Sequence, residues 1–491
     1  MRLLTFSLLV TTVSPSVAQN PAHKADLDRY QASLDSLVPA LLEELSTPGA
    51  AVALLRDGKV VLAKGYGWAN REKQQPVTRE TLFNIGSISK THAAWGLMRL
   101  VQDGKIDLDA PVERYLTRWH LPASTFNQDS VTLRRLLSHT AGLSLHGYPG
   151  WNPDQPLPTI EESLNGNTNG SGDVRVVSAP GSKWDYSGGG YTIAQLMVEE
   201  VTGKKFDDYM KEAVFRPLGM TSSSYVWDAM VESRAAQPYG VVSKIPGPRF
   251  IEQAAASLET SLDDFVRFAL ASMSSERPAL RTRVLKPETV RAMQQPVPPS
   301  PNYGLGYQVI DAGGLRAVGH GGSNSGWQAQ FLVIPSTGDG LLVMTNSSIG
   351  QEVHRQLFCG WRKAAMGQDA PCLKSTAAVI GAVVGRAGSR EAVATWRKLK
   401  AERPNDYLFG PPHLNVLGYF LLNENRVDDA IAILELNAEA YPQAPGTYEF
   451  LGDAYLARGD TAVAVRNFEK SLSLDANNPG AKEKLEKLRR P

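Results

Sequence analysis

Ser87 and Lys90 stand three residues apart in the run FNIGSISKTHAAWGLMRLVQDGKI. Residues at that spacing share one side of a helix's first turn, so a hydroxyl and an amine would lie side by side. The chemistry open to such a pair is nucleophilic. A serine oxygen attacks an acyl carbon once a neighbour relieves it of its proton, and the free N–H groups of a helix start stabilise the negative charge that develops. The helix is legible too: Ala94, Leu97, Met98 and Val101 fall at i, i+3, i+4 and i+7, and Gly104 is placed to stop it. By itself S-x-x-K says little, because a capping serine with a solvated lysine satisfies it equally well.

Three further segments follow in order: LLSHTAGL (Leu136–Leu143), PGSKWDYSGGGYTIAQL (Pro180–Leu196) and GHGGSNSGW (Gly319–Trp327), with YGLGYQV (Tyr303–Val309) ahead of the last. Together with Ser87 and Lys90 they resemble the serine β-lactamase-like hydrolases. That superfamily holds class C β-lactamases, D-Ala-D-Ala carboxypeptidases, D-aminopeptidases and family VIII carboxylesterases. The resemblance covers about residues 25–368 and implies acyl-enzyme chemistry with no cofactor and no metal. It makes Ser87 the nucleophile and Lys90 the lysine on the next turn. It sets Tyr186 at the tyrosine of the Tyr-x-Asn element, and His320-Gly321-Gly322 at the Lys-Thr-Gly or His-x-Gly strand.

A phenol titrating near 10 is a poor base unless cations stabilise its phenolate, which Lys90 and a nearby imidazolium could do. Tyr186 is therefore expected to take the Ser87 proton and return it to the leaving group. The backbone N–H groups of Ser87 and Ser323 would hold the oxyanion, while Gly321 and Gly322 would let substrate lie along the strand edge.

Two departures bear on the substrate. Gly188, expected among the substrate-binding residues, stands where the motif's amide-binding Asn would be, and His320 stands where many members carry Lys. Both point away from fast β-lactam turnover and toward small amides, D-amino-acid peptides or esters, with carboxylesterase and weak β-lactamase as alternatives. His139 is expected to fix its loop rather than to form a Ser-His dyad. Trp151, Tyr148 and Trp327 could line an apolar cleft, although single aromatics more often pack in a core or at a rim. No G-x-S-x-G, H-E-x-x-H or G-x-x-x-x-G-K-[ST] occurs, so an α/β-hydrolase elbow, a zincin and a P-loop are not indicated. A reading from another class is a catalytically idle ligand-binding domain joined to an adaptor.

The elements that must position these groups are an amphipathic stretch over 25–45, a hairpin about Asp57-Gly58, and late strand-like runs QAQFLVIPS and GDGLLVMTN. Helices such as Ile193–Val201 and Asp263–Ser272 lie between them. This pattern predicts an α/β (α+β) fold in which distant segments complete an antiparallel sheet, flanked by helices and carrying a helical lobe. Gln155–Lys183 reads as a surface excursion.

After residue 372 the composition turns Ala/Leu/Glu/Lys-rich and a repeat of about 34 appears, matching Gly418, Ala430 and Leu434 to Gly452, Ala464 and Phe468. The tail resembles a tetratricopeptide (TPR) array, with a looser copy around Ala392 and Trp396, and would form an all-α domain over 373–491 able to take a protein or peptide partner. At the other end Met1–Ala18 has the anatomy of a cleaved signal peptide, which leaves a hydrolase domain over 19–372 and predicts export to the periplasm or medium. A balance of 51 Lys+Arg against 50 Asp+Glu gives no field for nucleic acid, and no transmembrane segment is expected in the mature chain. Cys359 and Cys372 could bond or remain free thiols.

Overall fold

The computed structural model describes residues 21–166, 169 and 171–489, and the expected leader Met1–Ala18 lies outside the described residues. The hairpin expected at Asp57-Gly58 is there. Both residues have left-handed φ, +50° and +70°, as a two-residue primed turn requires. They join β1 (Gly49–Arg56) to β2 (Lys59–Asn70), with β3 (Gln75–Pro76) outside it. A separate pair is formed by β4 (Leu82–Asn84) and β5 (Glu259–Ser261). The late strands are β6 (Gln308–Ala312), β7 (Leu315–Asn324), β8 (Trp327–Ile334) and β9 (Asp339–Thr345). The main sheet runs β3-β2-β1-β9-β8-β7-β6 and is antiparallel throughout. Pairing of Ala50 with Thr345 and of Leu55 with Gly340 is the closure by distant segments.

β1 is buried almost end to end because both sheet faces are covered. Ala51, Ala53 and Leu55 join one apolar core, while Ala50, Val52 and Leu54 join the other. The helices around the sheet and in the lobe include α1 (Pro21–Glu44), α2 (Ile88–Gln102), α3 (Gly188–Thr202), α4 (Gln253–Ala256), α5 (Leu262–Ala271) and α6 (Gln351–Met366). α2 and α5 pack on one face of the sheet and α1 and α6 on the other.

In α2, Ala94, Leu97 and Met98 are buried as expected, but so is every residue from Ile88 to Met98. The helix lies between β7 and the lobe that holds α3 and α4, so no side of its first three turns is left to water. Gly104 ends it with φ +70° and an N–H bond to the Val101 carbonyl at 3.0 Å. The excursion over 155–183 is mostly irregular, yet Ile160, Leu164, Val174 and Val176 are buried and anchor it.

The tail consists of α7 (Thr376–Glu402), divided at Gly388, then α8 (Pro411–Asn423), α9 (Val427–Ala440), α10 (Pro445–Ala457), α11 (Thr461–Leu474) and α12 (Pro479–Arg489). Repeat glycines sit where paired helices touch. A Cβ on Gly418 would lie 2.6 Å from Leu434, and one on Gly452 would lie 2.5 Å from Phe468. The tail is not a separate bead. Ile380, Leu414 and Leu417 belong to the same apolar cluster as Val52, Leu332, Val353 and Trp361. Cys359 and Cys372 form a disulfide. Among the described residues no helix is long and apolar enough to cross a membrane.

Candidate active site

Ser87 caps α2 with helical φ/ψ (−64°, −9°), so its oxygen stands over the first turn. The Lys90 Nζ donates to Ser87 Oγ at 3.2 Å and to the Ala255 carbonyl, in α4, at 2.6 Å. Lys90 is 2% exposed and both of these acceptors are neutral. Burial without a counter-charge disfavours the ammonium and brings the amine down to about 7.

Tyr186 comes from the turn before α3. Its Oη is buried without a hydrogen bond of ordinary geometry. Burial pushes the phenol well up, and the Ser87 hydroxyl beside it offsets only part of that. The Lys90 Nζ is 5.0 Å from the Tyr186 ring centre. The three groups expected to meet do meet, but their electrostatics differ from expectation. The phenol keeps its proton, and the amine is the group balanced near neutrality.

The expected imidazolium is a neutral imidazole. His320 is 2% exposed, and burial holds it down at about 4. It ends a buried chain of hydrogen bonds. The Ser187 N–H donates to His139 Nδ1 at 3.1 Å, and His139 Nε2 lies 3.2 Å from Tyr303 Oη. Tyr303 Oη lies 2.8 Å from His320 Nε2, and His320 Nδ1 lies 2.5 Å from the Gly321 carbonyl. With both rings neutral, the two ends allow only one direction: His139 Nε2–H donates to Tyr303, Tyr303 donates to His320 Nε2, and His320 Nδ1–H donates to Gly321. Burial also pushes His139 far down. His139 has φ +59° and holds the 139 loop to the segment carrying Tyr186, as the loop-fixing reading expected.

Gly86 (φ +51°) and Gly322 let the turn before Ser87 touch β7. A Cβ on Gly86 would lie 2.6 Å from the Ser323 nitrogen, and one on Gly322 would lie 1.9 Å from the Ile85 carbonyl oxygen and 3.0 Å from the Ser87 nitrogen. The amides of Ser87 and Ser323 are neighbours for that reason. Asn324 fixes the contact, donating to Asn84 Oδ1 at 2.7 Å and to the Ala256 carbonyl at 2.9 Å, while Asn84 Oδ1 accepts from the Gly86 N–H at 2.8 Å.

β6 pairs with β7 only as far as Gly319, so the edge beyond it is open to a cavity. A Cβ on Gly321 would meet nothing within 4 Å, as expected of an unobstructed edge. Gly322 is a glycine for a different reason, the close approach of Ile85. Gly188 needs correction. It does not line the cavity; its N–H donates to the His146 carbonyl at 2.9 Å, and a Cβ there would meet His146, Gly147 and Tyr148 at 3.1–3.3 Å. The main chain of His146 and Gly147 and the ring of Tyr148 occupy the space into which a longer side chain would extend.

The cavity, of about 670 Å³, is lined by Ser87, Lys90, Tyr186, His320, Gly321, Gly322 and Ser323. It is also lined by His146, Trp184 and Asn324, which sequence reasoning missed. The His146 ring lies 4.9 Å from that of Tyr186, centre to centre, and is tilted 43° to it. Its only signal was position, a few residues past LLSHTAGL. Of the three candidate cleft aromatics, Tyr148 lines this cavity, Trp327 is buried in the core and Trp151 lies elsewhere.

A family model described as Beta-lactamase matches residues 34–358, ending before α7. Penicillin-binding protein 4 of Amycolatopsis lactamdurans is 28% identical over 343 residues, covering 65% of this chain and 86% of that protein. A D-aminopeptidase of Gluconobacter oxydans (strain 621H) is 28% identical over 337 residues, covering 66% of this chain and 61% of that protein. Among solved structures, the octameric penicillin-binding protein homologue from Pyrococcus abyssi is similar with a TM-score of 0.55 and 27% identity, over 66% of this chain and 74% of that one.

Proposed function

The chain belongs to the beta-lactamase family, and from that premise we propose that it is an exported serine hydrolase that forms an acyl-enzyme at Ser87 with small amides, D-amino-acid peptides or esters. One observation carries the reading: a buried amine balanced near 7 lies 3.2 Å from the oxygen of a helix-start serine, with the buried Tyr186 phenol beside that same hydroxyl.

In its free-base form Lys90 takes the Ser87 proton as the oxygen attacks the acyl carbon. The N–H groups of Ser87 and Ser323 hold the oxyanion. Tyr186 gives its proton to the departing amine or alkoxide and is restored from the Lys90 ammonium. Water then attacks the acyl-enzyme with the same transfers reversed. In this assignment the base is Lys90 rather than Tyr186, and His320 orients the strand edge without carrying charge.

The electrostatics also bear on the substrate. Among the described residues Lys90 is the one Lys or Arg lining the cavity, and His320 is neutral, so a substrate carboxylate finds little to pair with. An uncharged amide or ester suits the cavity better than a β-lactam acid or a free peptide C-terminus. The D-aminopeptidase relative supports the amide reading. The repeat glycines against Leu434 and Phe468 support a TPR-like tail over 373–491, and the Met1–Ala18 pattern supports export.

The test is turnover of a p-nitrophenyl ester, a D-alanine p-nitroanilide and nitrocefin, with Ser87→Ala as control. The ester and anilide should be cleaved, nitrocefin least, and Ser87→Ala should lose about 10³-fold or more. Full activity in Ser87→Ala, or no turnover and no covalent labelling by a fluorophosphonate, leaves the idle-domain reading in its place.

A further inference from the structure

A second cavity, of about 320 Å³, adjoins the first. Two chain segments pass from one to the other without a gap. Tyr148 lines the catalytic cavity and Pro149 the second; Asn324 lines the catalytic cavity and Ser325 the second. One side of the second cavity is the 149–153 loop, tied to the 245–249 segment by paired backbone bonds between Trp151 and Arg249 at 2.8 and 2.9 Å. The other side is α8, which presents Tyr419, Phe420 and Asn423, with Glu424 at its C-cap. The C-terminal helices therefore supply a wall directly beside the active site.

That wall is held by a specific device. The Glu424 carboxylate accepts from three successive backbone N–H groups, those of Val241, Val242 and Ser243, and from the Ser243 hydroxyl. Consecutive N–H groups make an anion-binding nest, so Glu424, the only charged residue lining the cavity among the described residues, is already satisfied. What remains is uncharged: proline rings, Ile245, Trp151 and the aromatic pair Tyr419 and Phe420, with centres 5.8 Å apart. Tyr419 is 47% exposed, and the buried Trp151 indole N–H has no partner.

We propose that this cavity is a distal subsite for an uncharged, apolar peptide segment of the same substrate whose scissile carbonyl sits at Ser87, with α8 as its closing wall. The inference rests on the Ser87 reading and deepens it from small amides to peptides. A peptide fits better than an alkyl chain because its carbonyls can accept from the side-chain amides of Asn152 and Asn423, which a hydrocarbon would leave unpaired. A charged segment would be stripped of water with no counter-ion.

The full-length protein is assayed on D-alanine p-nitroanilide, on amidated peptides extended from the scissile bond by a Phe-Pro-Leu segment on either side, and on an octanoyl analogue. One of the peptide extensions should lower KM about tenfold in the wild type, as a good aromatic anchor does. Tyr419→Ser should remove that gain with kcat and the short anilide unchanged, and Tyr419→Phe should keep it. The proposal is overturned if neither extension lowers KM, if the octanoyl analogue gains as much, or if Tyr419→Ser affects short and long substrates alike. Calorimetric binding of the same peptides to Ser87→Ala separates the two readings. Should all turnover be absent, binding that weakens about tenfold on adding Tyr419→Ser still supports the subsite, and no binding ends it.

Discussion

A primary amine that titrates near 7 is half free base at neutral pH, and in the proposed mechanism that makes Lys90 the residue whose protonation sets the rate. The base must be unprotonated, so kcat/KM for an uncharged ester should rise with pH through about 7 and level off above it. His320, held at about 4, stays neutral over the same range and adds no limb between pH 5 and 8. A flat profile from pH 5 to 8 would remove Lys90 from the base role. Lys90→Arg, which keeps a charge but not a free base, should cost about 10²–10⁴ in kcat/KM. Stability carries the same signature. The folded amine titrates near 7 and the unfolded one near 10.5, so between those values the unfolded chain binds more protons and stability rises with pH. Lys90→Met, with no proton to release, should lose that rise in a series of melting curves from pH 7 to 10.

Between elements the informative connection is the chain Ser187–His139–Tyr303–His320–Gly321, which ties the segment before α3 to the open edge of β7. Tyr303→Phe keeps the ring and removes both central bonds, leaving two buried imidazole nitrogens unpaired at a cost of about 1–3 kcal/mol each. Freed of its donor, His320 Nε2 becomes able to take a proton, so the variant should show a new loss of activity on the acid side that the wild type lacks. An unchanged pH profile with only a lowered melting temperature would reduce Tyr303 to packing. None of this chain could be read in advance, because its partners are up to 164 residues apart and no local pattern marks them. The hairpin at Asp57-Gly58, the strands β8 and β9 and the start of α2 were legible, since turn chemistry and periodicity act over a few residues. Ser87 and Lys90 were legible as a pair for the same reason. The direction of proton flow was not, because burial is a property of the assembled lobe and sheet. Gly188 was misplaced likewise, since only the fold shows the His146–Gly147 main chain and the Tyr148 ring in its way.

At the scale of the molecule the question is whether the helices after residue 376 are an attachment or a component. Ile380, Leu414 and Leu417 share one apolar cluster with Val353 and Trp361 of α6, and Gly381 packs so closely that a Cβ there would lie 3.0 Å from Val241 and 3.1 Å from Leu417. Glu424 adds a polar latch to the same 241–243 segment. A separable adaptor would leave Val241 and Ile349 covered without it, and here Gly381 and Leu417 lie against that segment. A chain ending at residue 372 should therefore be poorly soluble or melt well below the full protein, because Val241, Ile349 and their neighbours lose their cover. Glu424→Ala isolates the latch from the apolar contact. It leaves the nest of N–H groups without an acceptor and should destabilise by about 1–3 kcal/mol, with Glu424→Gln falling between it and the wild type because an amide oxygen can still accept. Thermal melts of the three proteins decide the matter. Identical melting temperatures would mean that the nest is as well served by water as by Glu424, and the wall beside the active site would then be held by apolar packing alone.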